Sequence, residues 1–260
     1  MQDSMLSGLF GALTTEHRLN NIANNLANVN TNGYKRDVLA FKDTMALFAH
    51  DEIMEPMANV RSKKLFPEPL HVARPRIAVA RTDFSQGSFH YTSDPLDLAI
   101  SGNGFFKVRT PEGEFYTRNG HFRQTSDGQL VTMQGWPVLS EGGDINLPQG
   151  KNLQVASDGR IAVDGVDVGQ LQVVTVSDLE GLEKLGGNLY RLREGSTAGE
   201  VPVGPDVIVS QGYIETSNVE VVNEMVNMIE TQRQFEAYQK VMQTSDTVDR
   251  DAITKIGRGR

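Results

Sequence analysis

Hydrophobic positions at the two ends of the chain recur with a helical period. Near the start these are Leu6, Leu9, Leu13, Leu19, Ile22, Leu26 and Val29, at steps of three, four or six. Near the end, Val222, Met225, Ile229, Phe235, Met242, Ser245 and Val248 repeat the pattern. Such steps place apolar side chains along one side of a helix. The spacing predicts a first helix from near Asp3 to about Asn28, ended by Asn28-Val29-Asn30-Thr31-Asn32-Gly33, whose asparagines and glycine tolerate left-handed dihedrals. It predicts a second long helix opening at a capping box, Ser217-Asn218-Val219-Glu220. A soluble helix that long, with no glycine or proline before Gly257, packs in a coiled coil or bundle. Neither end can bury its stripe alone, so the ends need each other or other molecules.

Between the ends the pattern changes. Val38, Phe41, Met45 and Phe48 predict a second short helix, and Pro56, Pro67, Pro69 and Pro75 then favour an extended connector. From about Ile77 to Tyr213 the period is two and turn signals are dense. Asp127-Gly128, Asp158-Gly159 and Asp164-Gly165 are hairpin dipeptides, since both central residues of a type I′ turn need positive φ. Strands are expected over 96–100, 105–109, 130–132, 153–155, 161–163, 171–176, 189–192 and 207–209, with a helical turn near 178–185. Short strands with frequent turns indicate an antiparallel sandwich or open barrel. The fold class is therefore α+β: a mainly antiparallel β domain flanked by N- and C-terminal helices that pair like a coiled coil. The expected divisions are 1–36 (helix and signature loop), 37–76 (short helix and connector), 77–213 (β domain) and 214–260 (C-terminal helix).

Composition narrows the function classes. The 260 residues carry a net charge of −8, which argues against a general nucleic-acid-binding surface. No apolar run approaches the roughly 18 residues of a membrane span, so no membrane insertion is expected. Met1-Gln2-Asp3-Ser4 supplies no basic segment before its apolar residues, against a cleaved secretory signal. There is no cysteine, which excludes disulfides and thiolate chemistry without fixing a compartment.

No coherent active site, metal site or cofactor site is legible. His17, His50, His71, His90 and His121 form no close-spaced ligand pair. Gly102-Asn103-Gly104 is followed by strand-like residues where a phosphate-binding helix would be required, so it reads as a tight turn. Asp83, Asp94 and Asp97 have carboxylates without a groove or ligand pattern. The unusual feature is instead Asn20, Asn21, Asn24, Asn25 and Asn28, crowded into a helix although asparagine is a poor helix former. Either the helix frays when alone, or its polar face is also buried, with amides bonded to neighbouring subunits.

These residues also carry a resemblance. Asn24-Asn25-Leu26-Ala27-Asn28-Val29-Asn30-Thr31-Asn32-Gly33-Tyr34-Lys35 resembles the N-terminal signature of flagellar basal-body rod proteins. Gly212-Tyr213-Ile214-Glu215-Thr216-Ser217-Asn218-Val219, on to Glu236-Ala237-Tyr238, is similar to their C-terminal segment. Asp94-Pro95-Leu96-Asp97, Gly104-Phe105-Phe106 and Tyr116-Thr117-Arg118-Asn119-Gly120 resemble the central block of hook and rod proteins. Within the family, Ser85-Gln86-Gly87, Tyr91-Thr92-Ser93 and Glu141-Gly142-Gly143 point toward the proximal-rod branch, with the distal rod and hook-like members as alternatives.

The resemblance implies a non-enzymatic structural subunit exported through the flagellar type III apparatus. Such a subunit polymerises helically in the rod across the periplasm, with its terminal helices in the axial core, and transmits torque from the inner-membrane ring to the hook. Its implied partners are copies of itself, other proximal and distal rod proteins and hook-basal-body proteins. Leu19, Ile22, Asn24, Asn25, Leu26, Asn28, Val222, Met225, Ile229, Phe235 and Met242 are then the expected assembly residues. A cell-wall hydrolase is the competing class.

Overall fold

A computed structural model describes residues 2–47, 71–140, 142–148 and 152–257. Helix α1 spans Gln2–Ala27 and helix α2 spans Val221–Gly257, with β-strands between them. Contacts divide the described residues into two units, one from 1–23, 39–80 and 226–260, the other from 24–38 and 81–225.

The second unit holds the β core. Its largest sheet has six antiparallel strands in the order Leu182–Gly186, Leu189–Leu192, Gly113–Thr117, Phe105–Thr110, Val173–Val176 and Glu200–Val201. Smaller ladders flank it, including Leu98–Ser101 with Ile208–Gln211 and Phe89–Tyr91 with Tyr213–Glu215. Strand Phe105–Thr110 is covered on both faces because alternate side chains point opposite ways. Phe106 and Val108 enter one apolar cluster with Leu98, Phe122 and Leu130, while Phe105 enters another with Tyr116, Val174 and Tyr190. Burying each phenylalanine contributes about 1.5–3 kcal/mol, so this strand anchors the unit.

Several local readings of the sequence change here. Residues 37–47 form a strand, Asp37–Leu47, in a two-stranded sheet with His71–Thr82, where a short helix was expected. The segment carries both periods: Leu39, Phe41, Met45 and Leu47 also alternate at a step of two, and a partner strand favours the extended form. Pro75 lies inside His71–Thr82. Phe48, His50, Pro56, Pro67, Pro69 and Glu141 fall outside the described residues. Of the three expected hairpin dipeptides, only Asp164-Gly165 has both residues at positive φ (51° and 83°), joining Arg160–Val163 to Val166–Gln170. At Asp127-Gly128 and Asp158-Gly159 the glycine alone is left-handed. The turn expected near 178–185 is a 3-10 turn, Leu179–Gly181, capped by the Asp178 side chain and followed by strand Leu182–Gly186.

The capping box before α2 does not form. Ser217 Oγ accepts from Val219 N–H instead, and Glu220 immediately precedes the helix, its carbonyl accepting from Glu224 N–H at 2.9 Å. Asn218 is committed elsewhere, as described below.

In the first unit, α1 and α2 pack closely. A Cβ on Gly11 would lie 2.4 Å from the Tyr238 ring, and one on Gly8 would lie 3.1 Å from Met242 Cγ. Glycine is required there by the aromatic ring. Buried Thr15 bonds its own helix at Gly11 O and Ala12 O, and buried Thr231 bonds Asn227 O. These polar groups are therefore satisfied without reaching across the interface.

Apart from half-buried Asn227, the covered positions among the described side chains of α2 run Glu224, Met228, Thr231, Phe235, Tyr238, Met242 and Ser245, alternating steps of four and three. Val222, Met225 and Ile229 are not among them: Val222 is 73% and Ile229 53% exposed. The step of six between Ile229 and Phe235 turns a helix by about 240° at 3.6 residues per turn, so the apparent single stripe is two faces. On α1, Leu6, Leu9 and Leu13 are likewise exposed and a step of six separates them from Leu19. Ile22 is buried.

Candidate functional site

Three segments far apart in sequence meet in the second unit, at the roots of both helices. Lys35 follows the loop after α1, Arg118 follows strand Gly113–Thr117, and Glu215 ends strand Tyr213–Glu215. The Lys35 and Glu215 side chains are fully buried, and Lys35 Nζ lies 2.6 Å from Glu215 Oε1. Lys35 Nζ also donates to Ser85 O at 2.7 Å, and Gly87 N–H donates to the same Glu215 oxygen at 2.8 Å. Arg118 Nη1 is 3.5 Å from Glu215 Oε2, while Nη2 donates to Gly102 O at 2.8 Å. The guanidinium lies 4.9 Å from the centre of the Phe105 ring.

One carboxylate thus faces two cations in a dry setting. Burial pushes the Lys35 ammonium below its ordinary pKa, although Glu215 pulls the other way, and burial lowers Arg118 likewise. Burial raises the Tyr190 phenol, which is also buried beside this group.

Backbone packing allows this convergence. A Cβ on Gly33, whose φ is +68°, would lie 2.5 Å from the Arg118 carbonyl carbon, and one on Gly120 would lie 1.6 Å from Leu98 O. Gly33 N–H donates to Glu215 O at 2.7 Å, so the loop after α1 is tied directly to the strand before α2.

Two asparagines stitch the same region through both ends of their amides. Asn25 Oδ1 accepts from Asp37 N–H at 3.0 Å and its Nδ2 donates to Asp37 O at 2.9 Å. Asn218 Oδ1 accepts from Arg36 N–H, and its Nδ2 donates to Asp83 O and Ser85 O. Tyr34 OH donates to Asn24 Oδ1 at 2.8 Å, and Lys184 sits 3.8 Å above the Tyr34 ring while reaching Lys35 O and Asp37 Oδ2. Burial pushes Lys184 below its ordinary pKa despite Asp37, and burial raises Tyr34. Burial opposes ionisation of Asp83, but hydrogen bonds from Ser85 and Arg36 outweigh it and hold that carboxyl below its usual range.

Of the expected assembly residues, Ile22 and Asn25 are buried; Leu19, Leu26, Asn28, Phe235 and Met242 are half-buried; Asn24, Val222, Met225 and Ile229 are exposed. The Asn25 amide, one of those expected to reach neighbouring subunits, bonds within the chain. Lys35, Arg118 and Glu215 stand inside the motifs that carry the resemblance, yet no charge role could be assigned to them from sequence. The available signal was only the presence of a charged residue in each motif, and Lys35 alone stands beside an aromatic, Tyr34.

The other candidates resolve into local structure. Asp94 Oδ1 accepts from Leu96 N–H as a turn, and Asp97 Oδ1 lies 2.5 Å from His121 Nδ1. Gly102 takes a left-handed φ of +96° in the tight turn expected there. Among the described residues no group of three His, Cys, Asp or Glu side chains could hold a metal. No described helix is long and apolar enough to cross a membrane. The geometry is that of a buried ionic cluster joining the loop after α1 to the strands of the second unit.

Comparison with known proteins agrees in the same three places. Residues 10–35 match the family described as flagella basal body rod protein. Residues 99–163 match the flagellar hook protein FlgE/F/G D1 domain, and 210–255 the flagellar basal body rod FlgEFG protein C-terminal family. The chain is 39% identical to the flagellar basal-body rod protein FlgG of Buchnera aphidicola subsp. Acyrthosiphon pisum, over 88% of this chain and 90% of the relative. It is 34% identical to FlgF of Caulobacter vibrioides over 99% of each, and 32% identical to FlgG of Bacillus subtilis over 97% and 98%.

Proposed function

Because the chain belongs to the flagellar basal-body rod protein family, we propose that its work is done by the faces of α1 and α2 that the fold leaves uncovered. The protein is a structural subunit of the rod, located in the flagellar basal body and assembling with other rod and hook proteins. The observation that carries the proposal is the separation of faces described above. The seam between the helices uses Gly8, Gly11, Thr15, Tyr238 and Met242, whereas Leu6, Leu9, Leu13, Val222, Met225 and Ile229 stay exposed. Apolar rows of this kind suit heterologous contacts, in which each subunit docks on a different patch of its neighbours and a rotation with a rise builds a helix.

On this reading Leu19, Ile22, Leu26, Phe235 and Met242 stiffen the subunit, and Val222, Met225 and Ile229 join it to others. Asn24, Asn25 and Asn28 hold the helix root. Torque passes from helices to β domain through the Lys35–Glu215–Arg118 joint, with no catalytic step. Export through the type III apparatus and a span across the periplasm follow from the same assignment.

We place the subunit in the proximal rod, the position of FlgF; end-to-end similarity to the Caulobacter FlgF supports this. The distal rod is the second reading, supported by the higher identity to a FlgG.

Ile229→Asp is the test. It should leave the isolated chain folded by circular dichroism and abolish swimming when it replaces the wild type. Normal swimming would refute the assignment of that face. Fragments released from peptidoglycan by the purified chain would favour a hydrolase instead.

A further inference from the structure

Asparagine is followed by glycine at three places, Asn32-Gly33, Asn103-Gly104 and Asn119-Gly120, all in the second unit. Such a pair can cyclise on itself, because glycine has no Cβ to shield its nitrogen from the neighbouring carboxamide. Ring closure requires the peptide plane between the two residues to turn and the carboxamide to swing freely. The fold treats the three pairs differently.

The plane between residues 32 and 33 is pinned at both edges. Asn32 O accepts from Asn188 Nδ2 and Gly33 N–H donates to Glu215 O, each at 2.7 Å. At the third pair the carboxamide is tethered, since Asn119 Oδ1 accepts from His121 N–H at 3.1 Å. Gly120 is also walled in by backbone, where a Cβ would lie 1.6 Å from Leu98 O. Asn103 is instead exposed, in the tight turn between strands Leu98–Ser101 and Phe105–Thr110. Its carboxamide has no partner among the described residues. Its peptide plane is held by the Thr175 hydroxyl, 2.6 Å from Asn103 O, and by a longer 3.2 Å bond from Gly104 N–H to Gly102 O inside the turn. The walls around Gly104 are side-chain methyl groups of Ile100, Val173 and Val207, which yield more readily than backbone.

We propose that Asn103 is a modification site, at which the folded chain deamidates spontaneously. Gly104 N gives its proton to solvent base and attacks Asn103 Cγ. The N–Cγ bond forms, the Cγ–Nδ2 bond breaks, and Nδ2 leaves as ammonia, giving a cyclic imide. Water then opens the ring. Addition at Cγ gives aspartate; addition at the main-chain carbonyl carbon gives isoaspartate, with the chain now running through the former side chain. The reaction consumes water and needs neither oxidant nor reductant. Each event adds a negative charge to an exposed turn. The isoaspartyl product also lengthens the main chain beside Gly102, whose carbonyl Arg118 Nη2 grips at 2.8 Å.

Trypsin cuts after lysine and arginine, so the three pairs fall in separate peptides, 19–35, 82–107 and 119–123. The full chain is incubated in mildly alkaline buffer, and mass spectrometry follows replacement of the amide NH2 by OH at each pair. Asn103 should react first, faster than Asn32 by at least about tenfold, the weight of the two main-chain hydrogen bonds that must break there. Isoaspartyl methyltransferase should label peptide 82–107, and Asn103→Gln should abolish that label. In guanidinium chloride the three pairs should react at similar rates. Equal rates in the folded chain, prior reaction at Asn32 or Asn119, or an Asn103 that stays intact while the denatured chain reacts would each overturn the proposal. A preference for Asn103 that persists in guanidinium chloride would also overturn it, because the fold would then not be what selects the site.

Discussion

Replacing Glu215 by glutamine keeps the shape of the joint and removes its only negative charge. Lys35 Nζ at 2.6 Å and Arg118 Nη1 at 3.5 Å both lose their counter-charge. At an effective dielectric constant of about 20 these contacts have gross Coulomb energies of about 6 and 5 kcal/mol. Neither is a net contribution, since desolvation of three buried ions offsets much of both. What remains after breaking a buried pair from one side is about 3–5 kcal/mol, because two cations are then held in the interior without compensation. Glutamine still offers an oxygen to Gly87 N–H and Lys35, which places the expected loss near the lower end, about 3 kcal/mol. Against a total stability of about 5–15 kcal/mol this is severe. Urea unfolding followed by circular dichroism measures it, with the loss expected in the transition that reports the β domain. Lys35→Met alone should also destabilise. The double variant should recover at least about 1 kcal/mol relative to the sum of the single variants. A loss below about 1 kcal/mol for Glu215→Gln, or strict additivity in the double variant, would refute the claim that these charges hold the joint.

Gly33→Ala should destabilise by more than about 1–3 kcal/mol, because strain at φ +68° adds to a 2.5 Å approach to the Arg118 backbone; thermal melting checks it. Asn25→Asp removes the donor to Asp37 O and sets a carboxylate against that carbonyl, so about 1–3 kcal/mol should be lost. Amide hydrogen exchange should show the loss first around residues 25–37. The cluster of Lys107, Glu114 and Glu200 sets a pH window. Burial opposes ionisation of Lys107, yet bonds to Glu114 and Glu200 outweigh it and raise its pKa; bonds from Lys107 lower Glu114, and bonds from Tyr116 and Lys107 overcome burial to lower Glu200. The carboxylates therefore contribute fully above their ordinary value of 4.5 and lose that contribution as pH falls through the lower folded values. Lys107 contributes below its ordinary 10.5 and stops as pH rises through the higher folded value. Lys107→Met should flatten both flanks of a melting-temperature profile; an unchanged profile would remove this cluster from the explanation.

Much of the architecture was legible because it depends on local periodicity. Helical steps marked α1 to within a residue or two and fixed the existence of α2. Asp164-Gly165 specified its hairpin through two left-handed residues. Local period was a poor guide at 37–47, where helical and alternating patterns coexist and the partner strand His71–Thr82 decides. It was also insufficient at the ends: a stripe with a step of six looked continuous on paper but wraps onto another face of a real helix. The asparagines were visible as an oddity. Their purpose was not, since the partners of Asn25 and Asn218 are backbone groups whose positions depend on the folded chain.

The spacing of residues along this chain determined by itself that its ends are helical and its middle is antiparallel β structure, while the rod family was read from the resemblance of its motifs. Tertiary structure alone decided which apolar residues are covered and which remain available. It also decided that Lys35, Arg118 and Glu215 form one buried group across 180 residues of sequence. The physical reason is range. Backbone period and turn preference act between neighbours along the chain, whereas burial and charge pairing depend on what arrives from elsewhere. A lysine beside a tyrosine reads as a surface residue until Glu215 closes over it.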